Sequence, residues 1–144
     1  MFSKLKYASD IVKLQLLETY CLPLLTYALE CLNTKAALLH DINSWWNSIF
    51  RRIFGYNKWE SAKEIICRLG RLDLLHIINL RRLLFLKHLS HSNNKVVRDL
   101  ATYLKDGTEF HAAQAEYDMQ LSWSDPKIKA LSYISFKTIC GVTY

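Results

Sequence analysis

The chain has 144 residues, of which 51% are hydrophobic, and it carries a formal net charge of +6 with only four glycines and two prolines. This length suits about one domain whose core needs neither metal nor disulfides. The composition excludes disordered, collagen-like and turn-rich β proteins. We therefore predict an all-α fold, an irregular bundle of about five to seven helices.

The cysteines and the N-terminus bear on where the protein works. The four cysteines lack paired C-x-x-C spacing, and residues 1–6 lack the apolar run of a signal peptide. The most apolar segment, residues 14–32, is interrupted by glutamates, threonines and a glutamine that would be costly in a bilayer. We expect an intracellular protein, nuclear or cytoplasmic, with reduced thiols and no membrane span.

The first predicted helix covers residues 10–32, where apolar residues recur at helical spacing. Ser9 or Asp10 is its expected N-cap. Pro23 lies inside it, lacks the N–H that would bond to the Thr19 carbonyl, and clashes with that group. The proline therefore predicts a kink or a break.

The second predicted helix is the most aromatic one. Thr34 is its expected N-cap, and Gly55 supplies a left-handed stop after Phe54. At about 100° per residue, the sequence divides into an apolar and a polar half. The apolar half comprises Leu38, Ile42, Trp45, Trp46, Ile49, Phe50, Ile53 and Phe54, and the polar half comprises His40, Asn43, Ser44, Asn47 and Arg51.

Two further helices follow. Ser61 and Glu64 have the S-x-x-E spacing of a capping box, which predicts a short helix over residues 62–69. Asp73 is the expected cap of a helix over residues 74–89 that is apolar on nearly every side. Such a helix is normally central to its bundle or covered by another domain.

Three cations lie on this otherwise apolar helix: Arg81, Arg82 and Lys87. An unpaired charge is costly in such surroundings. Two explanations stay open, ion pairs with carboxylates such as Asp73, Glu60 or Glu64, or contacts with the phosphates of a partner.

A polar junction rich in His, Ser and Asn predicts a boundary in the chain. We predict a helical domain over residues 1–92, which contains the basic and aromatic segment, and a C-terminal helical extension over residues 93–144. Within the extension we predict helices at residues 95–105 and 108–121 and a last short helix that begins at Asp125.

No constellation for catalysis is found. Glu116 and Asp118 would point to different sides of a helix, and His88-x-x-His91 lacks a second pair of zinc ligands. There is no Gly-rich phosphate loop, and no nucleophile has local support. We therefore predict no catalytic residues, no metal site, no cofactor and no small-molecule substrate, which leaves binding as the function.

The positive charge is concentrated in one quarter of the chain. From Arg51 to Lys87, nine basic residues stand against three acidic ones, so this segment alone has a balance of +6, equal to that of the whole chain. Tryptophan, tyrosine and phenylalanine are interleaved with these cations. The pattern indicates a surface that faces a polyanion.

Three segments carry a resemblance to a known family. Residues 13–27 contain the run L-x-x-x-Y-x-x-P-x-L-x-Y, residues 46–57 contain an aromatic and basic helix followed by glycine, and residues 69–82 contain a leucine-rich helix that carries arginines. In this order and spacing they resemble the region just after the catalytic palm in reverse transcriptases of non-LTR (LINE-type) retrotransposons. The resemblance covers roughly residues 9–90.

The resemblance implies a thumb-like helical domain of an RNA-directed DNA polymerase, which grips the template–primer duplex behind the active site. The aromatic-x-Asp-Asp motif of the family's palm does not occur in this sequence, nor do its endonuclease and zinc knuckle. We therefore interpret the chain as a fragment that is not an enzyme by itself. Its expected partners are the nucleic-acid backbone and a palm domain or another chain.

A thumb contacts sugar and phosphate irrespective of base sequence, so it needs cations on rigid helices. Trp59 or Tyr56 is expected either to pack against a sugar or to form local core. The candidate residues for contacts with nucleic acid are Arg51, Arg52, Lys58, Lys63, Arg68, Arg71, Arg81 and Arg82.

The main alternative is a small helical protein-interaction module without a nucleic-acid role. Residues 74–89 would then be an exposed docking helix, and the basic excess would offset an acidic partner. A helix on a membrane surface is disfavoured, because the basic residues do not form one continuous face.

Overall fold

The computed structural model describes residues 7–27, 29, 32, 34–105 and 124–141. All regular structure in these ranges is helical, which confirms the predicted all-α class. The elements are α1 (Asp10–Leu16), a π-helical turn (Leu17–Cys21), α2 (Leu22–Leu25), α3 (Ala36–Phe54), α4 (Ala62–Arg68), α5 (Leu74–Ser90), α6 (Lys95–Lys105) and α7 (Asp125–Cys140). The predicted helix at 108–121, with Glu116 and Asp118, lies outside the described residues.

The first helix begins as predicted but ends earlier. The side chain of Ser9 caps α1 by accepting a hydrogen bond from the Val12 N–H at 3.4 Å. The predicted end at residue 32 is wrong, because α2 stops at Leu25. There the buried Thr26 hydroxyl donates to the Leu22 carbonyl oxygen at 2.8 Å, and the chain enters a turn.

Pro23 causes a change of helix type instead of a break. The turn immediately before it, Leu17–Cys21, is π-helical, and α2 continues without interruption. A wider turn leaves room for the proline ring and removes the need for the missing N–H donor. The predicted distortion is therefore confirmed in its position, and the structure gives it the form of a π-helical bulge.

The N-cap predicted for α3 was wrong. Lys35 occupies the N-cap position without a side-chain hydrogen bond, so Thr34 does not cap this helix. The Thr34 hydroxyl instead accepts a hydrogen bond from Arg82 Nη2 at 3.0 Å. At the other end Gly55 has φ +69°, which confirms the predicted left-handed stop.

The buried face of α3 is narrower than predicted. Trp46 and Phe50 lie at its centre, fully buried, with an edge-to-face contact at 5.5 Å between ring centroids. Asn43, assigned to the polar half, is buried, whereas Leu38 and Trp45, assigned to the apolar half, are 50% and 52% exposed. The predicted division of α3 into an apolar and a polar half was wrong, because α1, α4 and α5 cover only one side of this helix.

Of the capping interactions predicted for α4 and α5, only the second forms. Ser61 is the N-cap of α4, but the capping box does not form, because Glu64 pairs with Arg68 at 2.8 Å. The cap of α5 is confirmed, since Asp73 Oδ1 accepts a hydrogen bond from the His76 N–H at 2.9 Å. The α5 helix packs against α3, α6 and α7, so the central position, one of the two placements predicted for it, is the one observed.

The last helix completes the core. α7 packs on α4 and α5, and Phe136 is fully buried among residues of the first helices, with its ring centroid 4.8 Å from that of His76. The Tyr133 hydroxyl donates to the Cys67 carbonyl oxygen at 3.2 Å. Part of the predicted C-terminal extension thus shares a core with the first domain. The boundary near residue 92 stays a prediction.

The thiols lie mainly at helix contacts. Cys67 and Cys140 are thiols that form no disulfide within the described residues. Burial, together with the nearby Cys67, raises the pKa of the Cys140 thiol to about 11, so this group is protonated at neutral pH. In the described ranges, every helix is too short or too polar to cross a bilayer.

Candidate nucleic-acid interface

The densest group of predicted contact residues lies where α3 meets α4, and we name residues 51–63 the α3–α4 corner. Arg51 holds this corner together. Its carbonyl oxygen accepts the Tyr56 N–H at 2.9 Å, and its Nε donates to the Glu60 carbonyl oxygen at 2.8 Å. The side chain of Arg51 therefore has a structural role in addition to any contact with a ligand.

The loop of the α3–α4 corner is closed by two more hydrogen bonds. The Asn57 N–H donates to Glu60 Oε2 at 2.6 Å, and the Glu60 N–H donates to the Asn57 carbonyl oxygen at 3.1 Å. These bonds engage one carboxylate oxygen of Glu60 with the backbone. The loop thus has a defined conformation, and its acidic residue is held within it.

Three exposed cations project from the α3–α4 corner: Arg52, Lys58 and Lys63. None of them makes an ion pair with a carboxylate in the described part of the chain. Arg52, in the last turn of α3, is favoured there by the helix dipole. Lys63, in the first turn of α4, is at a position where the dipole disfavours a cation, so helix stability does not explain it.

Two aromatic residues of the corner are exposed. Trp59 is 89% exposed and Tyr56 is 43% exposed. The ammonium group of Lys58 lies 5.7 Å from the centroid of the Trp59 ring. Trp59 therefore does not form local core, and of the two roles predicted for it only packing against a sugar is compatible with its exposure.

The predicted residues that follow the corner are paired. Arg68 pairs with Glu64 at 2.8 Å, and Arg71 Nε lies 2.6 Å from Glu18 Oε1. The side chains of Arg68 and Arg71 are 70% and 45% exposed, and exposed pairs of this kind contribute little to stability. Both guanidinium groups are therefore accessible to an additional anion.

The cations of α5 behave differently. Arg82 Nη2 donates to the Leu32 carbonyl oxygen at 3.1 Å as well as to Thr34, which fixes it against the preceding loop. Arg81 is half-buried, and no hydrogen bond or ion pair joins it to the described residues. Lys87 forms an ion pair with Asp125 at the start of α7.

The carboxylates proposed as partners for the α5 cations bind elsewhere, so that part of the prediction was wrong. Asp73 contacts His76, whereas Glu60 and Glu64 are held by their own loop and helix. The pairing with Asp125 was not predicted, because this residue is far from Lys87 along the chain. The hydrogen bond and charge of Lys87 hold the pKa of the Asp125 carboxyl below its usual range.

The side chains of His88 and His91 make contacts other than metal ligation in the part of the chain that the structure describes. His88 Nε2 lies 3.4 Å from Asp125 Oδ2, and His91 Nδ1 lies 2.9 Å from the Lys87 carbonyl oxygen. Within the described ranges, no three His, Cys, Asp or Glu side chains are grouped so that they could hold a metal ion.

The alternative function predicted an exposed apolar helix at residues 74–89. The large apolar side chains of α5 are all buried or half-buried, so this helix is not an exposed docking surface. Exposed large apolar residues occur instead elsewhere, among them Tyr20 in the π-helical turn, Leu24 in α2 and Tyr27 in the turn that follows α2.

Comparisons with models of protein families, with curated proteins and with solved structures found no match. The likeness to retrotransposon reverse transcriptases therefore depends on the three sequence segments alone. The candidate interface depends on the geometry of the α3–α4 corner.

Proposed function

We propose that this chain is the helical thumb segment of a retrotransposon RNA-directed DNA polymerase and that it binds the backbone of a template–primer duplex. The observation that carries the proposal is the charge of the α3–α4 corner. Arg52, Lys58 and Lys63 are exposed without a carboxylate partner in the described residues, although exposed acidic residues occur elsewhere in the chain. Phosphate oxygens are the ligands that such a group favours.

The fixed loop supports the proposal energetically. Binding orders flexible side chains, which costs about 0.5–1.5 kcal/mol for each long side chain. The hydrogen bonds from Arg51 and Asn57 order the backbone between the cations before any ligand arrives. Only the cationic side chains themselves then lose freedom on binding.

The other candidate residues differ in how directly they could contact the nucleic acid. Arg68 and Arg71 extend the surface, since their pairs are partly exposed. Arg81 lies farther along the chain and is half-buried. We assign Arg51 and Arg82 to positioning, because both already bind backbone carbonyl oxygens within the chain.

A salt titration tests the proposal. Binding of the chain to a blunt RNA–DNA hybrid duplex is measured by fluorescence anisotropy at increasing salt concentration. The variant Arg52→Ala/Lys58→Ala/Lys63→Ala removes three cations, and every phosphate that is no longer neutralised reduces the steepness of log K against log salt by about 0.9. A decrease of about 2 to 3 in the steepness supports the proposed footprint.

A matched control removes the same charge elsewhere. Lys35, Lys95 and Lys129 are exposed and have no ion pair among the described residues, and they lie outside the α3–α4 corner. Alanine at these three positions should leave the slope nearly unchanged. If both triple variants change it equally, binding depends on net charge and not on the corner. If the wild-type chain does not bind at low salt, the proposal fails.

The family origin has a separate test. The transcript sequence immediately upstream of Met1 should encode an aspartate pair after an aromatic residue in the same frame. An upstream reading frame without such a motif would leave backbone binding intact as a hypothesis but remove the polymerase origin.

One observation favours the alternative of a protein-interaction module. Tyr20, Leu24 and Tyr27 have 59%, 80% and 82% of their surface exposed and lie close together along the chain, with Tyr27 in the turn after α2. Exposed apolar side chains of this kind suit docking onto another chain. Light scattering distinguishes the two functions, because self-association that is insensitive to salt and is abolished in Leu24→Glu would favour the module.

A further inference from the structure

The exposed side chain of Trp59 is a candidate contact for a ligand. A large aromatic side chain gains about 1.5–3 kcal/mol from burial, yet 89% of the Trp59 surface is exposed to water. Nothing in the packing of the corner requires an indole at this position.

The backbone that carries the Trp59 ring is held by the loop. Trp59 immediately precedes Glu60, whose carbonyl oxygen, N–H and carboxylate are all hydrogen-bonded within the corner. Its other neighbour, Lys58, lies over the ring at 5.7 Å from the centroid. The indole is therefore presented on a constrained backbone beside a cation.

The surroundings of Trp59 distinguish between kinds of partner. A protein-docking patch or a membrane anchor needs several contiguous apolar side chains. Apart from Tyr56, the exposed residues of the loop are polar or charged: Asn57, Lys58, Glu60 and Ser61. An aromatic face set among polar and cationic groups is what proteins use to stack an unpaired nucleobase while cations hold the adjoining phosphate.

We propose that Trp59 is a stacking site for an unpaired nucleobase, with the phosphate of that nucleotide held by Lys58. The proposal rests on the function proposed above and adds its ligand class: a nucleic acid in which a single-stranded segment adjoins the duplex. Every base has a π-face, so the site selects unpaired structure and not sequence.

The experiment compares two ligands and three proteins. The ligands are a blunt RNA–DNA hybrid duplex and the same duplex extended by a short unpaired thymidine overhang. The proteins are the wild-type chain, Trp59→Ala and Trp59→Phe. Dissociation constants are measured by anisotropy at one fixed salt concentration, and far-UV circular dichroism checks that each variant is folded.

The overhang should tighten binding to the wild-type chain, and Trp59→Ala should reduce that gain by about 5- to 150-fold, the range found for one stacked base. Trp59→Phe should retain part of the gain because it keeps an aromatic face. The salt dependence of binding to the blunt duplex should be the same in all three proteins, because none of the variants removes a cation.

The two failures can be told apart. If the wild-type chain binds both duplexes equally, or if Trp59→Ala weakens both by the same factor, the stacking site is wrong although backbone binding stands. If the wild-type chain binds neither duplex at low salt, the proposed function fails and the stacking site fails with it.

Discussion

The α3–α4 corner and the contact between α5 and α7 both contain cations, but they hold them in opposite ways. At the corner, Arg52 and Lys63 are exposed and have no ion pair with the described residues. At the α5–α7 contact, Lys87 is mostly buried and is paired with Asp125. A buried charge without a partner destabilises the fold, and at the α5–α7 contact a carboxylate pairs with the cation. At the α3–α4 corner the cations are solvated by water and need no such partner.

This difference shows that a count of basic residues does not identify a binding surface. The same segment of sequence supplies structural cations that bind inside the chain and exposed cations that a ligand can reach. If the two regions are divided in this way, substitutions at the α5–α7 contact should change stability and substitutions of the exposed cations at the α3–α4 corner should not.

The largest effect is expected in the core beside the α5–α7 contact. Phe136→Ala leaves a cavity against His76 and should lower the free energy of unfolding by about 3–5 kcal/mol. Trp59→Ala at the corner is the matched control and should change it by less than about 0.5 kcal/mol. Urea denaturation measures both. Equal effects would mean that Trp59 is part of the core or that α7 is not.

A smaller effect separates two neighbouring arginines. Arg51→Ala removes the hydrogen bond to the Glu60 carbonyl oxygen and should destabilise the chain by about 1 kcal/mol. Arg52→Ala makes the same change of charge in the same helical turn without removing such a bond. Thermal unfolding compares the two variants. Arg51 would not be a positioning residue if both variants unfolded at the same temperature.

The smallest effect is a dependence on pH. The hydrogen bond and charge of Lys87 lower the pKa of the Asp125 carboxyl from 3.8, so the unfolded chain binds this proton more readily. The pair therefore stabilises the fold above about pH 4, and the contribution is lost as the pH falls through the acid range. The stability difference between wild type and Asp125→Asn should be present at neutral pH and should disappear in acid.

Lys87→Met supplies the control for this measurement. In that background the Asp125 carboxyl no longer has its main partner, so the difference between Asp125 and asparagine should depend much less on pH. A pH dependence of unchanged size would assign the effect to His88, which also faces Asp125.

Local signals made part of the fold predictable. Gly55 ends α3 and Asp73 caps α5, because both depend on backbone groups within a few residues. The bounds of α6 also agree with the prediction. The failed capping box shows the limit of this reasoning, since Glu64 had two possible partners at nearly the same distance along the helix and pairs with Arg68.

Contacts between distant residues were not predictable. The buried side of α3 depends on which neighbours cover it, so helical spacing alone placed Asn43 and Trp45 on the wrong sides. Lys87 finds its carboxylate on α7, and Arg82 binds a loop that precedes α3. For the candidate interface, the sequence located the basic segment, but only the structure separated the cations that pair with a described carboxylate from those that do not.

The late position of Phe136 in the chain has a consequence for biosynthesis. Its ring fills a space lined by helices that leave the ribosome earlier, including the buried Leu74 and Ile78 of α5. At about 5–20 residues per second, those side chains wait on the order of seconds before α7 is translated. During that interval the nascent chain exposes the apolar surface that chaperones bind.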